Sequence, residues 1–369
     1  MSGAGTIATD LGPLRTIGTN DTPIWGMPNA ERMRRQANSA AKEKRQVADG
    51  HVLWTNLGFA YDPLLFRLAL AKPGTVFTRE GELVVGQLPA AGGDAPALSG
   101  PGIERIELSG GRKLYNEQLR KLEEPFVSPL TPTTRKMIER QSYFGAYKGV
   151  TDLLTKYLWP EFALVLTRIA AQLRMTPNMV SAIGIALCIL AFFLFRDGLY
   201  WTGFLAGFIF MVLDTVDGKL ARCTITSSYW GNIIDHGVDL VHPPFWWYAW
   251  GVGLAAHGLS LAPSAFALVM AAVIIGYIVQ RLIEGAFIRS FGMHIHVWQR
   301  FDTQFRLITA RRNPNMVLLF VSLLIGRPDL GLIWLAWWTV LSCAIHAVRL
   351  VQAYIWRSRH GPLTSWLTA

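Results

Sequence analysis

From Leu240 to Gln280, and again from Leu330 to Val348, the chain contains no Asp, Glu, Lys or Arg. A soluble domain rarely withholds charge for so long, because each surface helix must present a polar face to water. As helices, such runs reach across a hydrocarbon core of about 30 Å. With 51% apolar residues, 14 tryptophans and only 16% charged residues in 369, the composition fits a polytopic membrane protein carrying a soluble portion. Apolar windows predict six spans, at 178–196, 199–221, 230–254, 262–284, 305–326 and 330–352. The fifth is short of uncharged residues and must borrow Arg306, Arg311 or Arg312 for its first turns. Basic residues gather in Arg32–Arg45 and around Arg289–Arg312, which orients both termini toward the cytoplasm. The net charge of +10 is thereby explained as a topology signal rather than a nucleic-acid surface. The first thirty residues lack the basic start and apolar core of a secretory signal.

Ahead of the spans, residues 1–140 have soluble character. Arg32–Arg45 reads as a basic helix. The runs His51-Val-Leu-Trp and Gly74-Thr-Val-Phe-Thr, with Glu82-Leu-Val-Val after a Glu-Gly turn signal, read as strands. Gly92–Gly102 reads as a loop and Tyr115–Glu124 as a polar helix. The region weakly resembles a shortened nucleotidyltransferase-like fragment, but no glycine loop able to cradle phosphate is present, so a non-catalytic role is expected. From Gly149 to Leu173 an amphipathic stretch is too charged to span and suits a helix lying in the interface. Thr176-Pro177-Asn178 then opens the first span by capping chemistry. The three cysteines, Cys188, Cys223 and Cys343, are widely separated, which argues against a disulfide or a zinc site.

Against this apolar background stands the pattern Asp214-x-x-Asp217-Gly218-x-x-Ala221-Arg222, eight residues, Gly231-x-x-x-Asp235-x-x-x-Asp239. An ionised carboxylate at membrane depth costs roughly 2.5 kcal/mol or more. Four together also repel one another. Ion-paired packing against Lys219 and Arg222 leaves an excess of negative charge, so a pair of divalent cations is the simpler explanation. Offsets of 3, 4, 7 and 8 place Asp214, Asp217, Ala221 and Arg222 on one helical face, and steps of four do the same for Gly231, Asp235 and Asp239. Oxygen ligands of this kind suit hard cations. His236 and His242 flank the motif as interfacial donors, and His346 reads as a packing residue.

The pattern resembles the signature of the CDP-alcohol phosphotransferase family over residues 145–355, including the Thr-Pro-Asn entry to the first span. The resemblance implies an all-α polytopic membrane domain of six transmembrane helices with an N-terminal interfacial helix, preceded here by the small soluble α/β region and followed by a tail at 356–369. It implies transfer of a substituted phosphate, commonly phosphatidyl, from CDP-diacylglycerol or another CDP-alcohol to a small alcohol, with release of CMP. It further implies two Mg²⁺ (or Mn²⁺) ions held by Asp214, Asp217 and Asp235, with Asp239 as general base touching the second ion. Gly218, Ala221, Arg222 and Gly231 would cradle the CDP moiety. A homodimer in a bacterial-type inner membrane with a cytoplasmic active site is the expected setting. Arg306 and Arg349, each on an apolar stretch, are candidates to hold a phosphorylated acceptor. A membrane prenyltransferase or a divalent-cation transporter are the alternatives. The first separates its acid motifs on distant helices, and the second distributes polar groups along a path that spans three to six lack.

Overall fold

The computed structural model describes residues 4–90, 95–108 and 110–368, with the side chains of Ile234 and Asp235 outside that description. The chain forms two compact units. One comprises Met1–Tyr147, Thr167–Thr176 and Lys219–Ser227, and the other Lys148–Leu166, Pro177–Gly218 and Ser228–Ala369.

The first unit is built on a six-stranded mixed sheet. Its strands are β1 (Ala4–Thr9), β2 (Gly12–Ile17), β3 (His51–Asn56), β5 (Thr75–Arg79), β6 (Glu82–Pro89) and β7 (Glu104–Glu107), in the order β1-β2-β3-β6-β5-β7. The expected runs at 51 and 74 are β3 and β5. The Glu-Gly signal makes the β5–β6 turn, where Glu80 (φ 50°) and Gly81 (φ 83°) are both left-handed, as a tight hairpin's right-handed twist demands. Helix α1 (Asn29–Lys42) buries Met33, Ala37 and Ala40, and α2 (Pro63–Ala71) buries Leu65, Phe66 and Ala69, in one core with Leu14, Leu53, Phe77 and Val85. Asp62 caps α2 by accepting from the Leu64 amide at 2.8 Å, with Pro63 at the first helical position.

Strand β4 (Phe59–Tyr61) pairs with β10 (Val127–Pro129), and α3 (Arg135–Gly145) closes the N-terminal segment. The polar helix expected at Tyr115–Glu124 is absent. Those residues form the hairpin of β8 (Leu114–Asn116) and β9 (Lys121–Glu123). The Asn116 carboxamide accepts from the Leu119 amide and Arg120 turns left-handed at φ 51°, local bonding that competes with a helix. The expected loop at Gly92–Gly102 lies partly outside the described residues. Its described part, 95–102, contains no strand or helix.

After the N-terminal segment, a π-helical turn at Leu154–Leu158 leads into α4 (Pro160–Gln172). Phe162, Val165, Leu166 and Ile169 are exposed along one face of α4, as an interfacial helix requires. Trp159 is fully buried and donates from Nε1 to Thr215 Oγ1 at 3.1 Å. Helices α5 (Pro177–Arg196), α6 (Tyr200–Cys223), α7 (Tyr229–Gly253), α8 (Pro263–Phe291) and α11 (Pro328–His360) fall on five of the expected spans. Among the described residues, α5, α8 and α11 are long and apolar enough to cross a membrane.

The fifth expected span, 305–326, is not one helix. It divides into α9 (Arg300–Arg306) and α10 (Arg312–Leu324), separated by non-helical residues. Pro314 explains the break. Its ring cannot coexist with a helical carbonyl at Ala310, so α10 can begin only just before it. Thirteen residues extend only about 20 Å. The break places Arg311, Arg312 and Asn313 at the mouth of a helix, facing the polar groups of the unit.

Candidate active site

Asp214 on α6 and Asp239 on α7 converge on a single guanidinium. Arg312, the first residue of α10, donates from Nη2 to Asp214 Oδ2 at 2.7 Å and from Nη1 to Asp239 Oδ1 at 2.5 Å. Its third nitrogen, Nε, donates to Asn313 Oδ1 at 2.8 Å, and the Phe210 ring lies beneath it at 5.1 Å. Asp217, one turn along α6, is buried and accepts from the Ser181 hydroxyl of α5. A small cleft at this point is lined by Ser181, Gly184, Phe210, Asp214, Asp217 and Val238. Asp235 belongs to α7, but its side chain lies outside the described residues. Gly218, Ala221 and Arg222 occupy the last turns of α6.

At the start of α7, Ser228 caps the helix by accepting from the Gly231 amide at 3.0 Å. A Cβ at Gly231 would come within 2.9 Å of that hydroxyl and 3.4 Å of Asn178 Oδ1. The glycine therefore lets the Ser228 hydroxyl and the Asn178 carboxamide come close to the start of the helix that carries Asp235 and Asp239. The described donors, like the whole motif, are carboxylate oxygens without thiolate or imidazole. That set fits Mg²⁺ or Mn²⁺ and not a soft metal.

Arg312 was not distinguishable in sequence from the neighbouring topology arginines. The usable signal is the run Arg311-Arg312-Asn313-Pro314, in which Pro314 fixes a helix start and so turns three polar side chains inward. Each meets a different cluster. Arg311 pairs with Glu284, and Asn313 donates to Asp152 Oδ2 at 3.1 Å. Thr155 adds its hydroxyl (2.8 Å) and amide (3.0 Å) to the same carboxylate. Burial alone would push the Asp152 carboxyl up. Arg306 and these hydrogen bonds outweigh it and hold the group below its ordinary value.

Around Glu284 stand Arg281 (2.9 Å), His296 Nε2 (3.3 Å) and His346 Nδ1 (3.9 Å). Two imidazoles and a carboxylate could in principle bind a metal. Arg311 pairs with Glu284, and its Nη2 sits 3.4 Å from His296 Nε2. Burial pushes His296 well below its usual value, which keeps it neutral there. His346, expected simply to pack, is buried in this cluster.

The two arginines expected at an acceptor separate in character. Arg306 is largely enclosed, and its Nη1 has no hydrogen-bond partner among the described residues. Arg349 is fully committed. It donates from Nε and Nη2 to both oxygens of Asp302 at 2.7 Å, from Nη2 to Gln299 and from Nη1 to Gln352, and it stacks 4.2 Å over Trp298. Every Arg349 nitrogen thus already has an acceptor within the protein.

The family model described as CDP-alcohol phosphatidyltransferase matches residues 174–309. That stretch is thus similar to a CDP-alcohol phosphatidyltransferase domain. Cholinephosphotransferase 1 from Gallus gallus is 32% identical over 129 residues, covering 32% of this chain. The chain spans only 37% of that relative's length. Among solved structures, a phosphatidylinositol phosphate synthase of Mycobacterium tuberculosis with CDP-DAG bound is 16% identical. It aligns over 51% of this chain and 92% of its own, with a TM-score of 0.40. The same enzyme with manganese and citrate is 18% identical, over 51% and 88% respectively, also with a TM-score of 0.40. The phosphatidyltransferase match takes in Asp214, Asp217, Asp235 and Asp239 and ends before Arg312.

Proposed function

We propose that this protein is a membrane-embedded CDP-alcohol phosphotransferase dependent on a divalent cation. It would move a substituted phosphate from a CDP-linked donor to an alcohol and release CMP. The observation that carries the reading is that Asp214 and Asp239, from two successive helices, share one positively charged partner beside Asp217. A cluster of acids at that place is electrostatically reasonable only if positive charge is shared among them.

Asp214, Asp217, Asp235 and Asp239 would hold the ions. When bound, such ions neutralise the pyrophosphate and polarise the attacked phosphorus. The chain's own part is to bind, orient and move a proton. Asp239 is the most solvent-accessible of the described acids, at 44% against 16% for Asp214. It is thus the one able to meet an acceptor hydroxyl and take its proton as attack proceeds. Gly231 and the capped α7 start leave room for phosphate beside backbone amides, and Arg222 supplies a planar fork of donors.

For the acceptor, Arg281, Arg306 and Arg311 are set, among the described residues, against Glu284 and Asp152. That surplus of positive charge favours an alcohol that bears phosphate, with Arg306 as the contact. We take the site to face the cytoplasm, on the side of the basic loops. The N-terminal soluble region, residues 1–140, is taken to be non-catalytic.

The test is a CMP-release screen on purified protein with Mg²⁺. It crosses CDP-diacylglycerol and soluble CDP-alcohols with glycerol phosphate, inositol phosphate, inositol, serine and diacylglycerol. One donor–acceptor pair should release CMP, and Asp239→Asn should abolish turnover while still binding donor. Absence of CMP release with every pair would return the prenyltransferase and transporter readings to consideration.

A further inference from the structure

Arg312 lies three residues beyond the last position matched by the family model (309 against 312), yet it touches two of the four motif acids. Its side chain is only 11% exposed. One nitrogen goes to Asp214, one to Asp239 and the third to Asn313, so the guanidinium is fully satisfied where it lies. Its backbone is fixed from both sides. Arg311 is tied to Glu284, and Asn313 donates to Asp152 and to Thr155 Oγ1. Any departure of the guanidinium from the acids must therefore be a rotation of the side chain alone, with the α10 start in place.

We propose that Arg312 is a built-in counter-ion that competes with divalent cations for Asp214 and Asp239, and so sets the metal affinity of the site. This rests on the metal-dependent reading given above. The guanidinium neutralises repulsion between acids brought together by α6 and α7, keeping them converged before a cation binds. A cation that enters must compete with the Arg312 guanidinium for the same oxygens. Loading therefore exchanges one positive partner for another and turns the Arg312 side chain away.

The opposite role is chemically definable. An outer-shell residue that only orients ligating carboxylates strengthens metal binding, and its loss weakens binding by about 10–100-fold. The two roles predict opposite signs. Mn²⁺ binding to the full-length protein in detergent, read from the EPR signal of the free aquo ion without any substrate, separates them. Arg312→Gln should bind Mn²⁺ about tenfold tighter than wild type, the effect of one charge-assisted pair removed. It should also melt at lower temperature without metal and gain more from added Mn²⁺. Arg312→Lys keeps the charge but cannot bridge two carboxylates, so it should fall between the two. It also serves as the deciding variant if Arg312→Gln does not fold. Unchanged or weaker Mn²⁺ affinity in the deciding variant overturns the proposal while leaving the enzyme reading intact. A wild-type protein that binds no Mn²⁺ overturns both.

Discussion

Replacing Arg349 by Met distinguishes a packing arginine from an acceptor-binding one. Asp302 is 4% exposed and Arg349 12% exposed, and their two parallel 2.7 Å contacts form a bidentate pair. Removing one partner of a buried pair costs about 3–5 kcal/mol, because the other is left charged and uncompensated. The stacking over Trp298 and Phe301 adds roughly 0.5–2 kcal/mol. The methionine stem recovers part of the apolar contact, so a net loss near 3 kcal/mol is expected at neutral pH.

The loss should depend on pH. Burial already pushes the Asp302 carboxyl above its ordinary value despite Arg349, and without the arginine it rises further. A group whose folded value is raised contributes its stability below the unfolded value and loses it as pH rises through the folded one. The destabilisation of Arg349→Met should therefore be smallest in acid and grow through that window toward neutrality. Equilibrium unfolding in micelles, followed by tryptophan fluorescence at several pH values, measures this, with Trp298 as a nearby reporter. A loss below about 1 kcal/mol with no pH dependence would refute the reasoning. An unchanged stability with a raised acceptor KM would return Arg349 to the acceptor site.

Two other perturbations test separate parts of the structure. Burial holds the Asp62 carboxyl above its ordinary value, so its contribution is greatest in acid and is lost as pH rises through the raised value. Asp62→Asn keeps the cap on α2 and removes the charge. It should flatten that dependence and slow amide exchange in α2 at neutral pH, and an unaltered profile would refute the assignment. Gly231→Ala must displace the Ser228 hydroxyl, costing about 1 kcal/mol of cap and raising donor KM severalfold. A variant with wild-type donor KM would show that phosphate does not approach this backbone.

Most helix ends were legible because two strong signals govern them. Charge-free apolar length marks α5, α8 and α11, and turn chemistry at Thr176-Pro177, Gly198 and Arg327-Pro328 separates neighbours. Helical spacing led to the expectation that acids of two neighbouring helices face one another, and Asp214 and Asp239 do pair with the same arginine. What escaped depends on tertiary partners. Arg312 and Arg349 are both arginines beside apolar sequence, and only position tells that one bridges the motif acids while the other grips Asp302. The Glu284, His296 and His346 cluster draws single residues from two helices and the connection between them, a pairing no local pattern contains. The β8–β9 hairpin was hidden because its strands are three residues each, too short for periodicity to register.

The claim on which the functional account depends is that the acids of α6 and α7 grip a nucleotide's phosphates through divalent ions. Calorimetric titration of CDP into purified wild type and Asp217→Asn, each with Mg²⁺ and with EDTA, addresses it directly. CDP should bind wild type only when the cation is present, and should not bind Asp217→Asn. Equal CDP binding in EDTA, or binding that survives the loss of Asp217, would contradict it.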